Sequence, residues 1–457
     1  MKPDSASTVI CGAGMAGLAA AYFLSVRHGM RDVVVVDELP PLSLTSDKST
    51  ECYRNWFPGP GDAMVAYMNR SIDLLEELER ESSGRLVLNR RGYLFATARA
   101  EGIDELRDWS AEPCGLGAGE LRLHEPGASG AGYVAAPATG YEGLPDGADL
   151  ITDPALIRRH FPYLHPDTRA VLHTRRCGWL SAQQLGMYLL EQAREHGARL
   201  VRGRIGAVDV EAGRVRGVHI ESEEGATRVA TDRFVNAAGP YVGRVSEMLG
   251  VELPIFHECH VKVSFHDRLG AFPQSAPMTI SIDPVTLPWS DDEREILAES
   301  DDTRMLLEPM PAGVHGRPAG GDSVMALWTY DDRPVTPSYP VTWDDHYPEI
   351  VIRGLATMIP AMGAYADALP QHFVDGGFYA KTQENRPLVG PLPIEGAYVM
   401  SAFSGYGIMA SCAGGELLAA HVVDSRLPDY APAFRLDRYA DPAYQKLLEG
   451  WTDSGQL

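Results

Sequence analysis

Three glycines stand in the order G-x-G-x-x-G, as Gly12-Ala13-Gly14-Met15-Ala16-Gly17, directly after a short apolar run that ends at Cys11. An alanine-rich stretch follows through Leu24, and a second apolar run, Val33-Val34-Val35-Val36, ends on the acids Asp37 and Glu38. Strand, glycine turn, helix, strand and an acid roughly 20 residues past the last glycine form the layout that holds the pyrophosphate and ribose of an adenine dinucleotide. Gly12 permits the tight turn, Gly14 lets the backbone approach the phosphates, and Gly17 lets helix and strand pack closely. The helix N-terminus supplies free N–H groups and a partial positive charge to phosphate oxygens. Asp37 is expected to accept hydrogen bonds from the ribose hydroxyls, and its charge would repel a 2′-phosphate, which disfavours NADP. A secretory signal is the competing reading of residues 9–26. The three glycines, Asp4 in the leading segment and the second apolar strand immediately behind argue against it.

The elements that must hold this turn come from a chain of 457 residues, longer than one core usually serves, so two domains are expected. A hydrophobic content of 45% and a charged content of 22% are those of a soluble globular protein. The formal net charge of −22 argues against nucleic acid and anionic membrane surfaces as partners. No apolar run is long and unbroken enough to span a bilayer. The six cysteines, Cys11, Cys52, Cys114, Cys177, Cys259 and Cys412, show no C-x-x-C or metal-type spacing. They read as reduced thiols of a cytoplasmic protein with no metal site. No targeting or lipidation signal is visible.

Apolar residues at helical spacing, Met64, Val65, Met68, Ile72, Leu75 and Leu78, predict a helix from Asp62 to about Arg80. Arg85–Asn89 and Gly92–Thr97 read as short strands. Residues 115–148, rich in glycine, alanine and proline, read as an irregular surface insertion, with a lid as the alternative. A helix over Gln183–His196, closed by Gly197, precedes strands at Val201–Glu211 and Val215–Glu221 joined by a turn at Glu211-Ala212-Gly213. Arg233–Gly239 is a further apolar strand. From about 255 to 373 the chain reads as strand-rich, with alternation in Glu258–Phe265 and Val324–Tyr330; His260, Lys262 and Ser264 share one face of the former. Ala397–Ala402 reads as a strand, Phe403–Ile408 as a glycine turn and about Met409–Val423 as a helix. The expected fold class is therefore α/β, with a Rossmann-like domain built from discontinuous segments (1–90, 165–254 and 374–457). A second, α+β domain with an antiparallel sheet (91–164 and 255–373) would hold the substrate over it.

Four segments carry a family resemblance: the glycine turn with Asp37, the loop Lys48-Ser49-Thr50-Glu51-Cys52-Tyr53-Arg54, the strand end Val235-Asn236-Ala237-Ala238-Gly239-Pro240, and the tail Ala402-Phe403-Ser404-Gly405-Tyr406-Gly407-Ile408-Met409. In order and spacing they resemble the D-amino-acid oxidase superfamily of FAD-dependent oxidoreductases, in the branch that holds sarcosine oxidase, glycine oxidase and dimethylglycine dehydrogenase. The resemblance implies FAD held by Gly12, Gly14, Met15, Ala16, Gly17, Asp37, Glu38, Lys48, Ser49 and Thr50. Val208, Ala238, Gly239 and the tail residues Gly405, Tyr406, Gly407, Ile408 and Met409 complete the expected contacts. The tail has a physical rationale of its own. Its glycines free the backbone to aim N–H groups at the negative charge of a reduced flavin, and the following helix presents its positive end there. The implied chemistry is removal of a hydride from the carbon next to an amine nitrogen, giving an imine, with dioxygen or another electron acceptor reoxidising the flavin.

The chain also departs from the family pattern. Relatives that attach FAD covalently use a histidine near the Lys48 loop or a cysteine before the tail. Ser43–Thr50 contains no histidine and Gly376–Thr382 no cysteine, so FAD is expected to be non-covalent. Of the arginine and lysine that hold a substrate carboxylate, the arginine falls on Arg54 and the lysine position on Met409. The strand Val324–Tyr330 lacks the lysine that promotes reaction with dioxygen, which leaves Lys48 or Lys381 to supply positive charge and leaves oxidase against dehydrogenase open. His260 and Tyr330 are candidates for the substrate cavity, and Trp328 shares a strand face with Tyr330. The alternatives are an FAD enzyme acting on a 2-hydroxy acid with His260 as base, a non-redox flavoprotein and an NAD dehydrogenase.

Overall fold

The computed structural model describes residues 4–127 and 132–451. Two large sheets organise them. The first has six strands in the order Leu388–Pro391, Ala397–Ser401, Phe234–Asn236, Thr8–Cys11, Val33–Asp37 and Arg199–Arg202. All neighbours run parallel except the outermost pair, Leu388–Pro391 with Ala397–Ser401. Its strands are apolar on both faces because both faces are covered. Ile10, Val33, Val35 and Val235 pack on the side of the helices Met15–Tyr22, Ala182–Glu195 and Gly407–Val422. Val9, Val34, Val36 and Phe234 pack on the other side, against the three-stranded antiparallel sheet of Arg204–Glu211, Arg214–Ser222 and Gly225–Ala230.

The helices Met15–Tyr22 and Gly407–Val422 meet at small residues. A Cβ on Gly415 would lie 2.9 Å from the backbone carbon of Ala19. The alanine run Ala19-Ala20-Ala21, fully buried, is what permits that approach.

The second sheet has nine strands, in the order His372–Lys381, Phe256–His266, Ser323–Leu327, His315–Gly320, Met278–Ser281, Tyr93–Thr97, Ala170–Thr174, Ala148–Ile151 and Leu121–His124. The sequence reading expects an antiparallel sheet. The sheet is mixed, because Met278–Ser281 with Tyr93–Thr97 and Ala148–Ile151 with Leu121–His124 pair in parallel. Ala170–Thr174, which the sequence places with the first domain's segments, pairs in this sheet with Tyr93–Thr97.

Several local expectations change. Arg85–Asn89 is not a strand: the Glu79 carboxylate accepts the N–H groups of Leu86 (2.8 Å) and Leu88 (3.0 Å) that a partner strand would have taken. Val201–Glu211 is two strands broken at Gly203, one in each of two sheets. Val324–Tyr330 stops at Leu327. The supposed irregular insertion, 115–148, holds the strand Leu121–His124, which pairs with Ala148–Ile151 at its far end, while residues 128–131 of it lie outside the described residues. Tyr347–Met358, within the block read as strands, is a helix whose Ile350, Val351, Leu355 and Met358 back the nine-stranded sheet. Glu101–Pro113 is a further helix the sequence reading passed over. None of the six cysteines forms a disulfide. Among the described residues no helix is long and apolar enough to cross a membrane.

Candidate active site

The chain leaves the strand Thr8–Cys11 through Gly12 at φ +109°, a conformation L side chains rarely adopt. A Cβ there would also sit 2.3 Å from the carbonyl oxygen of Ala237, so the turn is pressed on the exit of the neighbouring strand. Gly17 is tighter still: its Cβ would fall 1.9 Å from the Gly12 oxygen. Gly14 differs, since a Cβ on it would meet only the Ser46 hydroxyl, at 3.1 Å. The Met15 N–H at the helix start donates to that hydroxyl (2.9 Å), a partner the sequence reading missed. Asp37 accepts from the Ala13 N–H (2.7 Å) through Oδ2 and from the Leu39 N–H (2.9 Å) through Oδ1. It therefore braces the glycine turn, and its remaining lone pairs are what it can offer a ribose. Glu38 is exposed and lines an open groove with Arg202, Arg204 and Glu221. Val208 is buried with Val34, Val36 and Val218, and lines none of the cavities described below.

Two adjoining cavities lie where the sheets meet. The first is lined by Gly14, Met15 and Ala16, by Ser46 and Ser49 of the following loop, by Ala237 and Gly239, and by Gly405, Gly407 and Ile408 of the tail. Ala238 does not line it, but lies against Gly12. The tail turn is held by left-handed residues, Ala402 at φ +58°, Ser404 at +47° and Gly405 at +87°. A Cβ on Gly405 would strike the Tyr379 ring at 2.3 Å. The helix Gly407–Val422 begins at the cavity wall and turns its positive end toward it. Two helix N-termini and two glycine turns facing one crevice fit an extended dinucleotide with a charged ring at one end.

The second cavity shares Ser49, Tyr379, Ser404, Gly405 and Ile408 with the first. It adds Thr50, Cys52, Arg54, Tyr93, His260, Met278, His315, Leu327, Tyr406 and Met409. Arg54 is buried on the short strand Cys52–Arg54, its guanidinium 4.5 Å from the Phe57 ring. His260 lines this cavity but has both nitrogens engaged, Nε2 with Glu258 (2.9 Å) and Nδ1 with the Thr329 hydroxyl (2.9 Å). Its ring stacks on Tyr379 at 4.0 Å. Burial pulls its pKa down against the opposing pull of Glu258.

Three expected catalytic residues are directed elsewhere. Lys48 pairs with Asp375 (2.8 Å) and Asp47 (3.1 Å), and these two carboxylates raise its pKa against desolvation. Lys381 is buried against both oxygens of Glu258, at 2.7 and 2.8 Å. Tyr330 lies past the strand end and packs between Trp328 and Tyr347. Trp328 is itself core, its Nε1–H donating to the Pro311 carbonyl.

Two residues to which the sequence assigned no role in the site bear on it. Lys262, on the same strand face as His260, is buried and donates to the carbonyls of Asp47 (3.1 Å) and Ser49 (3.0 Å), which fixes the loop between the cavities. His315 opens the strand His315–Gly320, and a lone histidine at a strand start carries no local signal.

His315 and His173 are fully buried, and burial first, with Arg54 and Arg175 respectively adding to it, pushes them down to about 4 and about 3. Both start from near 6.5 in the unfolded chain. Below that pH the unfolded chain binds protons that the folded protein refuses, so stability is full above about 6.5 and falls as the pH drops toward 4. Urea unfolding at pH 7 and pH 5 is expected to show a loss of roughly a few kcal/mol. His315→Gln is expected to give a shallower pH dependence than the unaltered protein, and an identical slope would remove His315 from this account.

The model of the family described as FAD dependent oxidoreductase (DAO) matches residues 7–421. Mitochondrial dimethylglycine dehydrogenase of Rattus norvegicus is 24% identical over 264 residues, covering 56% of this chain and 26% of that protein. The chain thus spans about a quarter of the length of the curated relatives it matches, 26% of both the rat and the human protein. Among solved structures, L-proline dehydrogenase from P. horikoshii superposes with a TM-score of 0.73 at 19% identity, over 96% of this chain and 99% of that one. Glycine oxidase from Geobacillus kaustophilus gives 0.70 at 17%, over 94% and 98%. These likenesses show the fold. The chain belongs to the FAD dependent oxidoreductase family.

Proposed function

We propose that this member of the family oxidises an amino acid or a carboxylate-bearing amine, removing a hydride from the carbon next to nitrogen and leaving an imine. One observation carries the reading: among the described residues a buried arginine, Arg54, is the one Arg, Lys, Asp or Glu side chain that lines the cavity adjoining the glycine-lined crevice. FAD, bound along that crevice, supplies the hydride acceptor. The protein does the rest. Gly12, Gly14 and Gly17 with the first helix would hold the pyrophosphate, and Gly405 and Gly407 would aim backbone N–H groups at the developing negative charge. Arg54 would bind the substrate carboxylate through its fork, while Tyr93, Met278, Leu327 and Tyr379 exclude water. Dioxygen or another electron acceptor then takes the electrons.

Non-covalent attachment is supported by Cys52. It lines the second cavity, but its S–H donates to the Thr50 carbonyl and burial raises its pKa, so it is held as a thiol. Acid precipitation is expected to release all the flavin to the supernatant; yellow colour retained in the pellet would contradict this.

The deciding experiment is anaerobic mixing of the flavin-loaded protein with panels of amino acids, their decarboxylated amines and 2-hydroxy acids, followed by flavin absorbance. Bleaching by an amino acid and not by its decarboxylated amine is expected. Bleaching by hydroxy acids alone would overturn the reading.

A further inference from the structure

We propose that His315 receives the N–H of the substrate and steadies the positive charge that grows on nitrogen as the hydride leaves, which restricts the substrate to amino acids whose nitrogen carries a hydrogen. This rests on the reading above and adds to it the element that recognises nitrogen. His315 is buried and lines the cavity that holds Arg54. Its Nδ1 lies 2.8 Å from the Gly313 carbonyl oxygen. A carbonyl only accepts, so the ring hydrogen is on Nδ1 and the lone pair on Nε2. Among the described residues nothing donates to Nε2.

The groups that surround the ring keep it in that state. Burial holds the imidazole unprotonated at neutral pH against the opposing pull of the Gly313 carbonyl, and Arg54 and His260 add smaller pushes in the same direction as burial. Cys52, Tyr93, Tyr379 and Tyr406 line the same cavity with pKa values raised by burial, and so stay neutral. The cavity therefore offers one fixed cation and one neutral acceptor, which matches a carboxylate and an N–H on the same small molecule. His260 cannot take the second role, because Glu258 and Thr329 already occupy its two nitrogens.

In the reaction the C–H bond would break with both its electrons leaving on the hydrogen as hydride, for which FAD, held along the adjoining crevice, would be the acceptor. The nitrogen lone pair becomes the second bond of C=N. Nitrogen turns cationic and keeps its hydrogen, which is hydrogen-bonded to Nε2. That bond strengthens as charge develops, so it favours the transition state over the bound substrate. A tertiary amine that enters neutral has no hydrogen to offer it.

The test uses two ligands of one shape, pyrrole-2-carboxylate and furan-2-carboxylate, which differ in a ring N–H against a ring oxygen. Their dissociation constants are measured calorimetrically on the flavin-loaded full chain. The unaltered protein is expected to prefer pyrrole-2-carboxylate by about tenfold or more, the worth of one well-placed hydrogen bond. His315→Leu is expected to abolish the preference while both ligands still bind, and His315→Gln, which retains an acceptor, to keep part of it. A preference that survives in His315→Leu, or that is missing from the unaltered protein, overturns the proposal. If the unaltered protein binds neither carboxylate, the amino-acid reading itself falls and this inference with it.

Discussion

Gly17→Ala is expected to cost the protein about 3 kcal/mol or more, at or beyond the upper end of what overpacking a core usually costs. The new Cβ would lie 1.9 Å from the Gly12 oxygen and 2.9 Å from the Gly12 carbonyl carbon. Both are backbone atoms of a turn pinned on its far side by Ala237, so neither can move aside. Loss of that much from a total of about 5–15 kcal/mol is severe. Gly14→Ala is the informative partner. Gly14 has an ordinary φ of −75° and its Cβ meets only a rotatable hydroxyl, so apoprotein stability is expected to hold. Because Gly14 lines the first cavity, flavin affinity is expected to fall about tenfold or more, roughly 1.4 kcal/mol. Thermal unfolding of the flavin-free proteins and flavin titration separate the two effects. Native stability in Gly17→Ala would show that the turn is looser than its contacts indicate.

Arg54→Met is expected to lower kcat/KM for the amino-acid substrate by about 10²- to 10⁴-fold, the range for truncating one member of a buried, hydrogen-bonded charge pair. Methionine gives up the guanidinium that lies over Phe57 and near Trp56 but fills much of the same volume with a flexible apolar chain, so the fold is expected to survive. The decarboxylated amine should lose little, since it never had a charge for the guanidinium to hold. Arg54→Lys should recover only part, as a point charge without the fork. Steady-state kinetics with both substrates decide it: an equal loss on both would show that Arg54 shapes the cavity instead of binding an anion.

The parts of this molecule legible in the sequence are those whose cause is local. The βαβ turn shows itself because Gly12 and Gly17 are demanded by atoms a few residues away or on the adjacent strand. The tail shows itself because glycines interrupt an otherwise apolar strand-to-helix passage. The lysines mislead because their partners are remote: Lys48 meets Asp375 across 327 residues, and Lys381 meets Glu258 across 123. Arg85–Asn89 has strand-like residues, yet the Glu79 carboxylate, from the end of the preceding helix, takes the N–H groups of Leu86 and Leu88. The helix Tyr347–Met358 carries apolar residues at helical spacing, and only its position within a strand-rich block hid it. His315 matters through the cavity it enters, which no spacing announces.

The strand order of the six-stranded sheet has a consequence for how the protein comes into being. Its middle strands are Thr8–Cys11, Phe234–Asn236 and Ala397–Ser401, drawn from the beginning, the middle and the end of the chain. During synthesis Phe234–Asn236 waits as an uncovered edge, the kind of edge that invites aggregation. The alanine face of the first helix waits as well, until Gly415 emerges to seat against it. Nucleotide capture is thus among the last events of maturation, and a premature stop after Asn236 but before Ala397 leaves an adhesive fragment in place of a weakened enzyme.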